Sequence, residues 1–182
     1  MGSMKYCMVL FVFLGCTMPF ISADADCENL KDRRDELDQC CQVEKIISLN
    51  DADDCSSAAD EASQPHEKMM CSVQCKMQSL GLTNGDDIVQ EKVMEFVDRL
   101  EDGWKDTAKD IATKCIEVIT GMKTKMQEQG KGHDMKCSPV SGFFLMCLMK
   151  NTFNQCPADK WNSSSFCEKV KNGECAPKRP GN

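Results

Sequence analysis

Apolar residues recur every three or four positions in segment after segment of this chain, and nowhere alternate for long enough to make a strand. The pattern predicts an all-α fold. It opens with a highly charged helix over residues 28–41, where Leu30, Leu37 and Cys41 share one stripe and the polar bulk must face water. Residues 51–63 are acidic, small and Ser-rich, and predict a short helix or irregular segment pinned by Cys55 and ended by Pro65. From Glu67 to Leu80 the positions Met69, Met70, Val73, Met77 and Leu80 keep helical spacing, Cys71 and Cys75 share a face, and Gly81 is a stop. Thr83-Asn84-Gly85 reads as a turn, and Asp86 and Asp87 suit the N-terminus of the helix that follows. Its stripe is Ile88, Val89, Val93, Phe96, Val97 and Leu100, and Gly103 closes it.

The longest periodic segment starts at Trp104, where Ala108, Ile111, Cys115, Val118 and Met122 advance by 3 or 4 with Ile119 and Met126 beside them. A buried helix of five or six turns is predicted. Residues 129–136, with two glycines and two lysines, read as an exposed loop. Pro139 can open the next helix, and 140–149 is apolar nearly all round; about ten residues cannot span a bilayer, so a central helix covered on all sides is expected. After Pro157, residues 159–171 predict a weaker helix before the tail. With no repeat and no long linker, one domain accounts for the chain beyond its first 25 residues.

Those 25 residues read differently. Lys5 precedes 18 uncharged residues, the densest apolar run is Cys7 to Cys16, and the small residues Ser22, Ala23, Asp24 and Ala25 follow Pro19. This is the layout of a secretory signal peptide cut after Ala25 or Ala23, and its apolar part is too short for a retained anchor. Its loss removes Lys5 and Asp24 together, so the net charge of −7 is unchanged. Twelve cysteines remain: Cys27, Cys40, Cys41, Cys55, Cys71, Cys75, Cys115, Cys137, Cys147, Cys156, Cys167 and Cys175. An even number in an oxidising compartment implies that all are paired, in a way the count alone leaves open.

Charge and composition narrow the chemistry. Residues 26–67 hold 13 acids and 4 bases, so a basic nucleic-acid footprint is absent. The 13 methionines suit a core or an adaptable apolar surface. His66 and His133 are the only histidines, and oxidised cysteines cannot ligate zinc, so neither a metal nor another cofactor is expected. A secreted phospholipase would need a histidine beside its paired cysteines. Here Cys40-Cys41 is followed by Gln42, Val43 and Glu44, while His133-Asp134 stands in the Gly-Lys loop. The serines at 163–165 lack the histidine and acid of a nucleophilic triad, and no enzymatic activity is expected. Asn162-Ser163-Ser164 is a glycosylation sequon.

The cysteine spacing says more. Cys71-x3-Cys75 and Cys147-x8-Cys156, in that order around Cys115 and on an all-helical pattern, resemble the insect odorant-binding protein family. Cys137 with nine residues before Cys147, Pro157 directly after Cys156, and the later Cys167 and Cys175 are similar to its Plus-C subclass. The resemblance implies a compact bundle of about six to eight helices around an apolar cavity, with a Plus-C type C-terminal extension to the single domain at 26–182. It also implies the family's pairing of first with third, second with fifth and fourth with sixth cysteine. By position that joins Cys71 to Cys147, Cys115 to Cys156, and Cys75 to Cys41 or Cys40. Cys55 is less favoured there, because 29 or 30 intervening residues before Cys71 suit the family better than 15. If those anchors hold, Phe96, Leu100, Trp104, Ile111, Val118, Met122, Phe143, Phe144 and Leu148 are the candidates to line the cavity or to fill the core.

The function so implied is a secreted carrier of small hydrophobic ligands, such as odorants, pheromone-like compounds or other semiochemicals, in an extracellular fluid such as sensillar lymph. Its partners would be the ligand, an odorant receptor or a second copy of the chain, with no nucleic acid and no membrane once the signal is removed. The rival reading is a secreted inhibitor, toxin or surface-binding scaffold that uses its disulfides for rigidity and needs no cavity.

Overall fold

The computed structural model describes residues 33–60, 62, 64–128 and 136–175. The signal segment, Leu30, Cys27, the His133-Asp134 pair and the tail after Cys175 lie outside the described residues. Seven helices and one small hairpin are present among those described: α1 Arg34–Asp38, α2 Ser56–Asp60, α3 Pro65–Ser79, β1 Thr83–Asn84, β2 Asp87–Ile88, α4 Gln90–Val97, α5 Asp102–Glu128, α6 Val140–Asn154 and α7 Ser165–Lys171.

Local chemistry sets most boundaries. Pro65 occupies the first turn of α3, where its missing N–H costs nothing. At the other end Gly81 takes a φ of 70°, its N–H bonds to the Gln78 carbonyl, and the Leu82 N–H bonds to the Met77 carbonyl. That is a Schellman motif, sealed by the contact position between two side chains, Met77 and Leu82, that are both fully buried. The helix is thereby turned straight into the hairpin.

Several boundaries differ from the sequence expectation. Asp86 and Asp87 do not start a helix: Gly85, with a φ of 58°, turns the chain so that Thr83 pairs with Ile88 and Asn84 with Asp87. Helix α4 begins only at Gln90. Gly103 closes nothing. The chain turns at 98–101, returning Leu100 to the core, and Gly103 lies in the first turn of α5, which runs on for 27 residues. Near the start, α1 stops at Asp38 because the backbone of Cys40 and Gln42 pairs with Asn162 and Lys160 instead, forming a β-bridge between Cys41 and Trp161. His66 is exposed, but on α3 rather than in a loop.

One apolar core gathers α3, α4, α5, α6 and the segment carrying Ile46 and Ile47. A satellite core of Cys40, Phe166 and Cys167, with Leu37, Phe153, Trp161 and Val170 against it, joins the N-terminal segment to α7. The expectation that α6 is covered on all sides does not hold. It packs mainly on α5 and α3, burying Val140, Ser141, Phe144 and Leu148, while Met146 and Met149 remain 55% and 45% exposed.

The implied disulfide pairing is overturned as well. The bridges are Cys40–Cys167, Cys41–Cys156, Cys55–Cys75, Cys71–Cys137 and Cys115–Cys147, and Cys175 is also disulfide-bonded. None of the three carried-over pairs, Cys71–Cys147, Cys115–Cys156 or Cys75 with Cys41 or Cys40, occurs. The reason is where the helices meet. A bridge needs Cα atoms about 4.4–6.8 Å apart, and α3 approaches the N-terminal end of α6, where the Ser138 N–H also donates to Gln74 Oε1. Cys137 is there; Cys147 lies about 10 Å further along the helix and faces α5. Peptide mapping of unreduced protein should therefore find the Cys71–Cys137 and Cys115–Cys147 links. A Cys71–Cys147 peptide in their place would mean that α6 sits one or two turns out of register.

Gly121 provides a separate check on α5. It lies exposed inside the helix with nothing near the position of an added Cβ, and its φ is not positive. Gly121→Ala is expected to stabilise the fold by about 0.5–1 kcal/mol, read from thermal unfolding, because alanine loses less backbone entropy there. No gain would indicate that this turn of α5 frays.

Candidate functional site

Eight of the nine residues proposed from the sequence converge. Leu100, Trp104, Ile111, Phe144 and Leu148 are buried members of the main core, and Phe96, Met122 and Phe143 pack half-buried against it. Val118 does not join them, being 53% exposed. On α5 the buried line is Ala108, Ile111, Ala112, Cys115, Ile116 and Ile119; Val118 precedes Ile119 by one residue and so points about 100° away.

Two ties hold the cluster in place. The Cys115–Cys147 bridge joins the middles of α5 and α6, and Asn151 Nδ2 donates to the Cys147 carbonyl at 2.9 Å one turn further on. At the opposite end the Trp104 indole N–H donates to the Glu44 carbonyl at 3.1 Å, drawing the segment with Ile46 and Ile47 across the core. Those two isoleucines were missed in the sequence because they stand outside any periodic segment. Met77, Leu82, Val93 and Val97 belong to the same cluster and bound it on the α3, hairpin and α4 side.

Beside Trp104, on its outer side, lies a cleft of about 130 Å³ lined by Val43, Glu44, Glu101, Gly103, Trp104, Pro157, Asp159 and Lys160. Trp104 is its one member among the nine. Pockets for drug-sized ligands run from about 300 Å³, whereas a cavity of about 150 Å³ takes a benzene ring, so this cleft suits a small ring or a short chain end. The interior next to it is apolar, and such a surface offers burial of an apolar molecule. Among the described residues no three His, Cys, Asp or Glu side chains are grouped to hold a metal ion, and no helix is long and apolar enough to cross a membrane.

The sequon residue Asn162 is half-buried, and Ser163 and Ser164 are exposed. The Asn162 Oδ1 accepts the Ser164 N–H at 3.1 Å, and Ser164 Oγ in turn caps α7 by accepting the Cys167 N–H. Next to it the Trp161 indole donates to Glu168, stacks edge-on against Phe153 and lies under the Lys171 ammonium.

Comparison with known proteins adds one match: the model of the AgamOBP47-like family covers residues 46–173. That stretch contains all five helices from α3 to α7 and eight of the nine mature cysteines from Cys55 onward, all but Cys175. No curated protein and no solved structure matches the chain.

Proposed function

Because the chain belongs to the AgamOBP47-like family, a family of insect odorant-binding proteins, we propose that it is a non-enzymatic carrier of small hydrophobic molecules, secreted into an extracellular fluid such as sensillar lymph. The observation that carries this reading is the convergence of eight apolar candidates in one core held by Cys115–Cys147 and Cys71–Cys137. A shell tied by bridges tolerates loose packing that would otherwise cost stability. Odorants or other semiochemicals are its ligands, and Cys137, Pro157, Cys167 and Cys175 support a Plus-C type of the family. An odorant receptor or a second copy of the chain is the macromolecular partner, and Asn162 is a site for a surface glycan.

Affinity would come from burying apolar ligand surface, at about 25 cal/mol per Å² before the costs of association. The test is titration of the native protein with the fluorescent probe N-phenyl-1-naphthylamine, in a Trp161→Phe variant that leaves Trp104 as the only tryptophan. Saturable uptake with a change in Trp104 emission is expected. Uptake without any change at Trp104 would move the site toward the methionines of 69–77. Absence of saturable uptake by any hydrophobic probe would leave the rigid scaffold as the better reading.

A further inference from the structure

Asn162 stands at the joint where the C-terminal arm closes on the N-terminal segment. Its sequon lies between Cys156, six residues before it, and Cys167, five residues after it. Those two cysteines are the ones bridged to Cys41 and Cys40. The closed joint commits the groups of the sequon. The Asn162 backbone N–H donates to the Cys40 carbonyl and the Gln42 N–H to the Lys160 carbonyl, each at 2.9 Å, with the β-bridge of Cys41 and Trp161 between them. Asn162 Oδ1 accepts the Ser164 N–H, and Ser164 Oγ accepts the Cys167 N–H at 3.3 Å, at the residue bridged to Cys40. Asn162 is half-buried in this arrangement, while its Nδ2, the atom that would carry a glycan, makes no hydrogen bond among the described residues.

Glycan transfer needs that joint open. The transferase takes Asn-X-Ser as an unpaired segment whose serine hydroxyl it binds, and the sugar comes from a lipid-linked pyrophosphate donor. A bond forms between sugar C1 and Asn162 Nδ2, the bond from C1 to the pyrophosphate oxygen breaks, the amide gives up one proton and the lipid pyrophosphate leaves. A Ser164 hydroxyl held as the cap of α7, on a backbone paired with Cys40, does not meet that requirement. The order of the chain sets up a race. Cys40 and Cys41 precede Asn162 by 122 and 121 residues and Cys156 precedes it by six, so three of the four cysteines enter the oxidising compartment ahead of the sequon. Cys167 follows almost at once, and disulfide formation takes seconds to hours. Resting on the readings of secretion and of Asn162 as a glycan site, we propose that closure of Cys40–Cys167 and Cys41–Cys156 ends the acceptance of a glycan at Asn162. Whichever event comes first decides whether a given molecule carries one. A chain modified first can still close, because Nδ2 has no bond to lose and Ser163 and Ser164 beside it are exposed. The protein then exists in two forms, with a bulky polar glycan on the arm beside Trp161 in one and a bare Asn162 in the other.

The experiment expresses the full chain in insect cells, pooling cells and medium so that variants that fold badly are counted. Occupancy of Asn162 is read with peptide:N-glycosidase F, which shifts the band and leaves aspartate at 162 in the peptide mass, and Asn162→Gln marks the bare chain. Wild type is expected to be partly occupied. Replacing Cys40, Cys41, Cys156 and Cys167 together by alanine should raise the ratio of glycosylated to bare chain several-fold, and dithiothreitol added to wild-type cells during synthesis should do the same. Replacing Cys55 and Cys75 by alanine removes a bridge between α2 and α3, elsewhere in the fold, and should leave the ratio unchanged. An unchanged ratio in the four-cysteine variant, or full occupancy in wild type, would overturn the proposal while leaving Asn162 a glycan site. An equal rise in the variant lacking Cys55 and Cys75 would also overturn it, since slow folding in general would then be the cause. A bare Asn162 in every variant, dithiothreitol included, would remove the glycan site itself and the race with it.

Discussion

Phe144→Ala is expected to lower the unfolding free energy by about 3–5 kcal/mol, the usual range for truncating a fully buried aromatic side chain. Phe144 is fully buried and heads the largest such side chains of the protein. It projects from α6 one turn before Leu148 and one turn after Val140, on the face that meets α5 and α3. The neighbours cannot collapse freely into the space it leaves, because Cys115–Cys147 holds α5 and α6 at a fixed separation within one turn of it. The same bridge does not protect against the loss, since a disulfide acts mainly on the unfolded chain. Phe143, half-buried at the edge of the cluster, should cost less when truncated, and its loss should fall on ligand binding with helical circular dichroism intact. Urea unfolding followed at helical wavelengths measures both. A loss below about 1 kcal/mol for Phe144→Ala would mean that the α5–α6 interface is not close-packed and is itself the ligand space.

The helical class and most of the core on α3 to α6 were legible because they depend on period alone. Along α5, seven apolar positions at intervals of 3, 4 or 1 define a face without any knowledge of what covers it. The same period could not choose between Val118 and Ile119, since that choice is set by where α6 crosses. The hairpin escaped notice because strands of two residues have no alternation to read, and its one sequence signal, Asn84-Gly85, also fits a turn leading into a helix. Disulfide partners were the least legible. Cysteine order carried from the family names a pairing, whereas the bridge that forms is decided by which helix ends approach within a few ångströms. Here Cys137 reaches Cys71 before Cys147 can.

The second large effect concerns the adjacent pair Cys40 and Cys41, which holds the C-terminal arm at two points, Cys167 and Cys156. Taken singly, each bridge spans more than 100 residues of sequence, 127 and 115, and an isolated loop of that size would stabilise by about 5 kcal/mol. Neither loop is isolated. With Cys41–Cys156 in place, Cys40–Cys167 closes only the short ring through Cys41, Cys156 and the chain to Cys167, about a dozen residues, for which about 3 kcal/mol is expected. The same holds with the roles exchanged. Replacing Cys40 and Cys167 by alanine, or Cys41 and Cys156, should therefore cost about 3 kcal/mol each rather than about 5. Removing both bridges opens a ring of about 40 residues that runs back through Cys55–Cys75 and Cys71–Cys137, bringing the combined loss to about 7 kcal/mol. That approaches the whole stability of an ordinary domain. The satellite core of Phe166, Phe153 and Trp161 should then loosen from the main core, since the disulfide at Cys175, the backbone pairing around Cys41 and Trp161 and a few apolar contacts are left to hold it. The two tryptophans report on the two parts: Trp161 sits in the arm and Trp104 in the main core. In the protein lacking both bridges, Trp161 emission should change at lower urea than Trp104 emission, each read with the other tryptophan replaced by phenylalanine. Coincident transitions would show that packing, and not the paired cysteines, couples the arm to the bundle.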